Sequence, residues 1–323
     1  MSAAGPSPSS SPSLAAAEGA ALGPRRSPAW YAWRRFLAHR LALPALLTLV
    51  ALALASICAL LAERALGFSA ADIDLLARAA PPSAKHPLGT DELGRDLLLR
   101  LLYGGRVSLG VGLAAALCAA SIGTALGLLA GYYGGRLDAF LMRLADSVIA
   151  LPLLPLLIVL AALDPTKLGL PEEVARSEAA SLYRIVALIA LVGWTTTARL
   201  VRGATLSLKA REFVRAAEAL GASGPRIMVR HILPNAISPV IVATTLSVGN
   251  VILLESVLSF LGLGIQPPMP SWGNMLTGAQ ETIWSAPMLA VWPGLMIFVT
   301  VIAFNLLGDG LQDALDPRGD VKM

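Results

Sequence analysis

Long, uninterrupted apolar runs dominate this chain and restrict it to very few folds. Leu41–Ala62 holds no charged residue over 22 positions, and about 20 apolar residues suffice for a helix to cross the hydrocarbon core of a bilayer. Backbone groups in lipid must be satisfied within the segment, so such runs cross as helices. Five further runs follow: Val107–Ala130, Asp138–Leu163, Arg184–Ala198, Ile237–Gly262 and Met288–Gly308. We therefore predict an all-α integral membrane protein with six transmembrane helices.

The composition and the placement of charge support this fold class. Hydrophobic residues make up 56% of the chain and charged residues only 14%, which is far more apolar than a soluble domain. The net charge of +4 does not indicate nucleic acid as a partner. Arg34, Arg35 and Arg40 precede the first run, and basic residues near span ends stay in the cytoplasm. With six spans, both termini are then expected in the cytoplasm.

This topology also places the segment Arg199–Asn235, between the fourth and fifth runs, in the cytoplasm. It contains seven Lys or Arg residues, whereas Leu263–Pro287, on the opposite side, contains none. The expected domains are a disordered tail (1–28), a cytoplasmic lead-in with the first span (29–62), an extracytoplasmic loop with an interfacial helix (63–106), a transmembrane core (107–308) that includes the loop 199–235, and a cytoplasmic tail (309–323).

The cytoplasmic loop contains a short amphipathic pattern followed by a break. At about 100° per residue, four apolar residues share one narrow face: Phe213, Ala216, Ala217 and Leu220. Three charged residues lie on the other side: Arg211, Arg215 and Glu218. Gly221 is suited to a left-handed helix end, and Pro225 to the first turn of a second helix, which Pro234 is expected to end or kink.

This loop resembles the cytoplasmic signature of binding-protein-dependent ABC importer permeases, which is Glu-Ala-Ala, three residues, Gly, nine residues and Ile-x-Leu-Pro. Ala216, Ala217, Gly221, Leu233 and Pro234 match; Arg215 replaces Glu and His231 replaces Ile. The resemblance implies a coupling helix, with its apolar face held in a groove of a separate ATPase subunit. The other interpretation is an amphipathic helix that lies on the bilayer.

The segment after the first span could be mistaken for a phosphate loop. Gly89 and Gly94 have the spacing of its two glycines, but Arg95 and Asp96 stand where Lys and Ser or Thr are needed. The sequence therefore excludes a nucleotide site here. We expect Thr90 or Asp91 to cap a helix, with Arg95, Arg100 and Arg106 at the membrane interface.

Four further sequence words are similar to the C-type permeases of the dipeptide, oligopeptide and nickel importer group. They are HPLGTDELGRDLL (from His86), GYYGGRLDAFLMRLADSVIALP (from Gly131), ESVLSFLGLGIQPPMPSWGNML (from Glu255) and FNLLGDGLQDALDPR (from Phe304). The resemblance implies a second permease subunit as heterodimer partner, two ATPase subunits that hydrolyse ATP, and an extracytoplasmic solute-binding protein. Di- or oligopeptides are the first expected solutes, with nickel chelates and glutathione-like peptides as alternatives.

Few residues in the spans could carry chemistry. No Cys/His grouping has metal-site spacing and no nucleophile elbow occurs, so we expect no enzyme, cofactor or metal. Asn250 and Glu255 lie in the fifth run, where a charge is costly. Glu255 either lines the translocation path or binds a substrate amine, or it pairs with an arginine or polar group of a neighbouring span or of the partner permease. Rival functions are a self-contained secondary transporter, which needs a relay of ionisable residues, and a membrane scaffold.

Gly123 and Gly127 have the spacing of small residues in packed membrane helices. This pattern predicts a close helix contact in the second span.

Overall fold

The computed structural model describes residues 28–169, 171–175 and 177–316. Helices make up nearly all of this part of the chain, and it contains no β-strand beyond one isolated bridge between Thr90 and Asp96. The helices are α1 (Pro28–Ala38), α2 (Ala42–Ile57), α3 (Ala59–Leu66), α4 (Leu97–Tyr133), α5 (Gly135–Ala150), α6 (Leu153–Ala162), α7 (Glu172–Ala175), α8 (Glu178–Lys209), α9 (Glu212–Ala219), α10 (Gly224–Ile227), α11 (Leu233–Phe260), α12 (Trp272–Thr282) and α13 (Met288–Leu315).

The described residues contain four to six candidate membrane crossings. Four helical segments are long and apolar enough by themselves: α4, α8, the continuous stretch Gly224–Phe260, and α13. Two more arise if each of two bent pairs, α1 with α2 and α5 with α6, counts as one crossing; each pair bends by 89°. The predicted tail 1–28 lies outside the described residues except for Pro28, as does the C-terminal tail from residue 317.

The run Asp138–Leu163, which was predicted as one span, forms two helices. α5 ends at Ala150 and α6 begins at Leu153, nearly at right angles. Pro152 causes the break, since it lacks an N–H and disfavours the helical conformation in the residue before it. Leu151 accordingly has an extended backbone, with φ −79° and ψ 139°. The first predicted span is also divided, because α2 ends at Ile57 and α3 follows Cys58.

Glycines bring α4 and α8 into close contact, as the spacing of Gly123 and Gly127 predicts. A Cβ on Gly123 would lie 2.5 Å from the carbonyl oxygen of Trp194, and one on Gly127 would lie 2.5 Å from that of Ala198. Only glycine permits this approach of the two backbones. Gly131 continues the seam, facing Thr205. The last turns of α4 and α8 pack against the loop that follows α8.

Candidate functional site

The amphipathic pattern in the loop 199–235 forms α9. Arg211 precedes the helix with an extended backbone, and Leu220 follows it. The Gly221 N–H donates to the Glu218 carbonyl at 2.9 Å, and the Ala222 N–H donates to the Ala217 carbonyl at 3.0 Å. These two bonds, with φ +80° at Gly221, make a Schellman ending. The predicted left-handed glycine is confirmed.

α9 has two apolar faces, of which the sequence analysis identified one. The outer face comprises Phe213, Ala216 and Leu220, which are all exposed, Leu220 at 89%. The inner face comprises Val214 and Ala217, which are both buried. The structure therefore separates Ala217 from the other three residues of the predicted face. Val214, which the sequence analysis missed, forms most of the contact with the rest of the chain.

The inner face packs into a cluster at the junction of α4, α8 and the start of α11. Buried members outside α9 are Leu128, Val201, Ile227, Met228, Ile232 and Val240, with Tyr132 and Leu208 partly buried beside them. The cluster joins α9 to α4, α8, α10 and the start of α11.

The charged residues of α9 make few contacts within the described chain. Arg211 and Arg215 are exposed. The Tyr132 hydroxyl points to the Glu218 carboxylate at 3.5 Å, which is long for a hydrogen bond. Lys209 is better placed, because its Nζ donates to the Tyr132 carbonyl at 2.7 Å and lies 5.1 Å from the centre of the Tyr132 ring. The junction of α8 with the loop is thus fixed to the last turn of α4.

Pro234 does not end the second helix. α10 begins after Ser223, with Pro225 in its first turn, and the chain then remains helical to Phe260 through a π-helical turn at Met228–Ile232. π-helical turns occur mostly as single turns inside α-helices. Pro234, which has no backbone N–H to donate, lies two residues after this one. The Asn235 side-chain amide donates to the His231 carbonyl at 2.7 Å.

Two ion pairs that the sequence analysis missed connect α5 to α8. Arg202 meets both carboxylate oxygens of Asp138, with Nη2 to Oδ2 at 2.6 Å, and Arg199 pairs with Asp146. The sequence did contain a signal for these ion pairs, since opposite charges lie near the ends of two neighbouring apolar runs. Paired, fork-shaped contacts of this kind fix orientation as well as distance.

Glu255 is fully buried on the opposite side of the bundle. The Ser259 hydroxyl donates to its Oε1 at 2.7 Å and the Ser108 hydroxyl to its Oε2 at 3.3 Å. Ser108 in turn accepts the backbone N–H of Trp272 at 3.1 Å. Glu255 therefore contacts serines of its own and a neighbouring helix. Asn250, five residues earlier, is exposed.

The predicted cap at Thr90 or Asp91 is wrong, since Asp96 caps α4 by accepting the Leu99 N–H at 2.8 Å. Asp91 instead accepts from Arg95 Nε at 2.7 Å and lies 3.2 Å from Arg100 Nε. Both arginines are thereby turned inward, rather than out to the membrane interface as predicted. Their ion pairs with Asp91 keep Arg95 and Arg100 from pointing outward. Such tertiary contacts cannot be recognised from the spacing of residues in the sequence.

The first turns of α4 are also joined to α3. The Tyr103 hydroxyl donates to the Glu63 carboxylate, and this hydrogen bond lowers the pKa of Glu63. Across the described residues, no group of three or more His, Cys, Asp or Glu side chains is placed to hold a metal ion.

The long apolar helices, together with a short helix between two of them that exposes an apolar face, define a polytopic membrane protein of the permease class. The sequence pattern described as binding-protein-dependent transport system inner membrane component matches residues 123–320. The chain belongs to this family and is a multi-pass protein of the inner membrane.

Curated relatives cover most of the chain. It is 41% identical over 290 residues to the glutathione transport system permease protein GsiD of Pectobacterium atrosepticum, covering 88% of this chain and 90% of the relative. It is 44% identical over 238 residues to the dipeptide transport system permease protein DppC of Alkalihalophilus pseudofirmus, 73% of each chain. It is 37% identical over 284 residues to the oligopeptide transport system permease protein OppC of Bacillus subtilis, 88% of each.

Proposed function

We propose that this chain is a permease subunit of an ATP-driven, binding-protein-dependent importer of di- or oligopeptides, including glutathione-like peptides. The names of three relatives, for glutathione, dipeptide and oligopeptide transport, support this solute class. In the proposed assembly, the chain forms half of the translocation path with a second permease. Two ATPase subunits bind from the cytoplasm, and a solute-binding protein delivers peptide from outside.

The proposed topology has six crossings with both termini in the cytoplasm. They are α2, α4, the bent pair α5–α6, α8, the helical stretch Gly224–Phe260 and α13. The basic residues of the loop 199–235 support this orientation, as do the arginines before α2. The segment 63–106 is then extracytoplasmic, 107–308 forms the transmembrane core, and the tails 1–28 and 309–323 are cytoplasmic.

The outer face of α9 is the observation that carries the coupling proposal. Phe213, Ala216 and Leu220 are exposed on a helix that the inner face fixes to the bundle. Exposed apolar groups on a cytoplasmic loop mark an interaction site. A groove of an ATPase subunit that receives this face, with Arg211, Arg215 and Glu218 at its rim, would move α9 when the two ATPase subunits close.

In this proposal, the movement of α9 reaches the transmembrane helices through the residues that connect α9 to α11. Gly221 fixes the angle between α9 and the next helix, and the π-helical turn before Pro234 provides a flexible start for α11. Nearly complete reversal of a two-state equilibrium requires about 5.5 kcal/mol of differential binding. The proposed docking of one apolar helix face in each permease subunit supplies part of this difference.

Roles inside the membrane follow from burial. Because Glu255 is enclosed by serine hydroxyls, we assign it to fixing α12 against α4 and α11. Asn250 is exposed on α11 and is a candidate for the translocation path or for the contact with the second permease.

Two matched substitutions test the docking. Leu220 and Leu76 are both highly exposed leucines, at 89% and 101%, in the proposed cytoplasmic and extracytoplasmic loops. The C-terminally tagged chain is purified in mild detergent, and accompanying proteins are identified by mass spectrometry. Leu220→Glu is expected to lose an ATPase that has a phosphate loop, whereas Leu76→Glu retains it. Recovery of the same ATPase by both variants would refute the docking of this face.

A further inference from the structure

The first helix of the described chain, α1, has an aromatic stripe and a basic side. At about 100° per residue, four of its large apolar side chains fall within an arc of about 120°: Trp30, Trp33, Phe36 and Leu37. Arg34, Tyr31 and Arg35 occupy the remainder of the wheel. A helix with Trp, Phe and Leu on one face and Arg on the other is typical of helices that lie in a membrane interface.

The orientation of α1 agrees with that position. It meets α2 at 89°. If α2 crosses the bilayer close to the membrane normal, α1 lies in the membrane plane, at the level where α2 begins.

α1 is attached to the end of the last span. Phe36 is buried at 4% exposure in a cluster with Ala42 and Ala314. Arg35 Nη1 donates to the Asp316 carbonyl at 2.7 Å, and His39 Nε2 lies 3.6 Å from Asp313 Oδ2. The position of α1 is therefore defined relative to α13, and any ligand of α1 also acts on the end of α13.

Two other members of the stripe, and the leucine before α2, are exposed. Trp33 is 56% exposed, Leu37 43% and Leu41, directly before α2, 52%. They lie beside Phe36 and extend the apolar surface towards α2. Arg34 lies over the Trp30 ring at 5.6 Å, and Arg40 is exposed. No carboxylate of residues 28–169, 171–175 or 177–316 forms an ion pair with Arg34 or Arg40.

We infer that α1 is an in-plane anchor that binds the anionic phospholipid surface of the cytoplasmic leaflet. Trp33, Leu37 and Leu41 enter the acyl boundary, while Arg34 and Arg40 meet lipid phosphates. Negative surface potential attracts such juxtamembrane arginines, and the apolar side chains add area-dependent binding. The inference rests on the proposed orientation, with the N-terminus in the cytoplasm.

Spin labels at two positions of α1 test the depth of the helix. The exposed Cys58 and Cys118 are first replaced by alanine in the full chain. Trp33→Cys then places a label on the stripe, and Tyr31→Cys places a matched label on the other side of the same helix. Collision rates with oxygen and with a water-soluble nickel chelate are measured in vesicles of phosphatidylglycerol with phosphatidylcholine, and in phosphatidylcholine alone.

We expect the label at position 33 to collide with oxygen and to be shielded from the nickel chelate in the anionic vesicles, with the reverse at position 31. In vesicles of phosphatidylcholine alone, the collision rate of the label at position 33 with the nickel chelate should rise towards the rate at position 31. The same rise is expected in anionic vesicles after Arg34→Gln and Arg40→Gln. Equal nickel exposure at both positions would overturn the anchor. Shielding from both reagents would overturn it in favour of a protein partner, and equal shielding in both lipids would overturn the recognition of anionic lipid.

This experiment is independent of the importer proposal, because it needs neither ATPase nor solute. Loss of the ATPase contact would leave the depth of α1 unchanged. The assumed side of the membrane is read separately, from whether an impermeant reducing agent outside sealed, oriented vesicles reaches the label at position 31.

Discussion

Two short helices outside the proposed spans, α12 and α9, differ in how much of their surface is buried within the chain. α12 is completed within the chain: Trp272 is only 1% exposed, its indole Nε1 donates to the Leu101 carbonyl at 3.0 Å, and Ser271 and Asn274 form a capping box. α9 buries only Val214 and Ala217 and leaves its outer face exposed.

The difference distinguishes a helix that stabilises the fold from a helix that is proposed to bind another subunit. Trp272 and Asn274 of α12 and its cap Ser271 all have hydrogen-bond partners in the same chain, which holds this helix against the bundle. The outer face of α9 is exposed among the described residues, and in the proposed assembly an ATPase subunit covers it. Substitutions in α12 should therefore act on stability, and those in the outer face of α9 on assembly and coupling.

The largest expected loss of stability follows Trp272→Ala. The change removes a fully buried indole and its hydrogen bond, and such truncations cost about 3–5 kcal/mol. Thermal unfolding of the purified chain in detergent measures the effect. Trp284→Ala is the control, because Trp284 is 96% exposed and should have little influence. Equal losses for the two variants would contradict the self-contained packing of α12.

Glu255→Leu should rank next. It leaves the Ser108 and Ser259 hydroxyls without their buried acceptor, which typically costs about 1–3 kcal/mol. Glu255→Gln retains a side-chain oxygen and should recover most of the loss in the same unfolding assay. A Gln variant that unfolds like the Leu variant would show that the hydrogen bonds are not what matters at this position.

Gly221→Val and Gly262→Val compare the two ends of the bundle, because the backbone has a similar left-handed conformation at both positions. Gly221 and Gly262 have φ of +80° and +76°, and each has open space where a Cβ would lie. A side chain in the left-handed region costs about 1–2 kcal/mol, so both Gly221→Val and Gly262→Val should be moderately destabilised.

Only Gly221→Val should also uncouple ATP hydrolysis from peptide uptake, because it alters the angle at which α9 meets the spans. Both rates are measured on the assembled transporter in vesicles. Normal uptake by the Gly221→Val protein would contradict the proposed role of the loop.

Phe213→Ala should have the smallest effect on stability. Phe213 is 43% exposed, and surface changes usually stay within about 0.5 kcal/mol. Recovery of the ATPase in a pull-down should nevertheless fall clearly below that of the unaltered chain. A large fall in unfolding temperature would mean that the outer face packs within the chain after all.

Local sequence signals predicted much of this architecture. The helical nature of the apolar runs, the left-handed Gly221 and the close approach at Gly123 and Gly127 all depend on properties of short segments. Those properties are hydropathy, the conformational freedom of glycine, and the absence of a side chain between two backbones.

Features that depend on distant partners could not be predicted in this way. Asp91 caps no helix because Arg95 and Arg100 engage it, and Arg199 and Arg202 of α8 pair with carboxylates on α5 that are more than 50 residues away in the sequence. The inner face of α9 was missed for the same reason, since only the ends of α4 and α8 determine which side of this helix is buried. The break at Pro152 did have a local signal, which the length of the apolar run obscured.

The central claim is that an ATPase subunit covers the outer face of α9. A photoreactive benzoylphenylalanine introduced at Phe213, and separately at Phe140 of α5, tests it most directly, because both phenylalanines are exposed, at 43% and 65%. After irradiation in membranes, the account predicts a covalent product with a phosphate-loop ATPase from position 213 and none from position 140. The absence of that product at position 213, or its formation at both positions, would contradict the account.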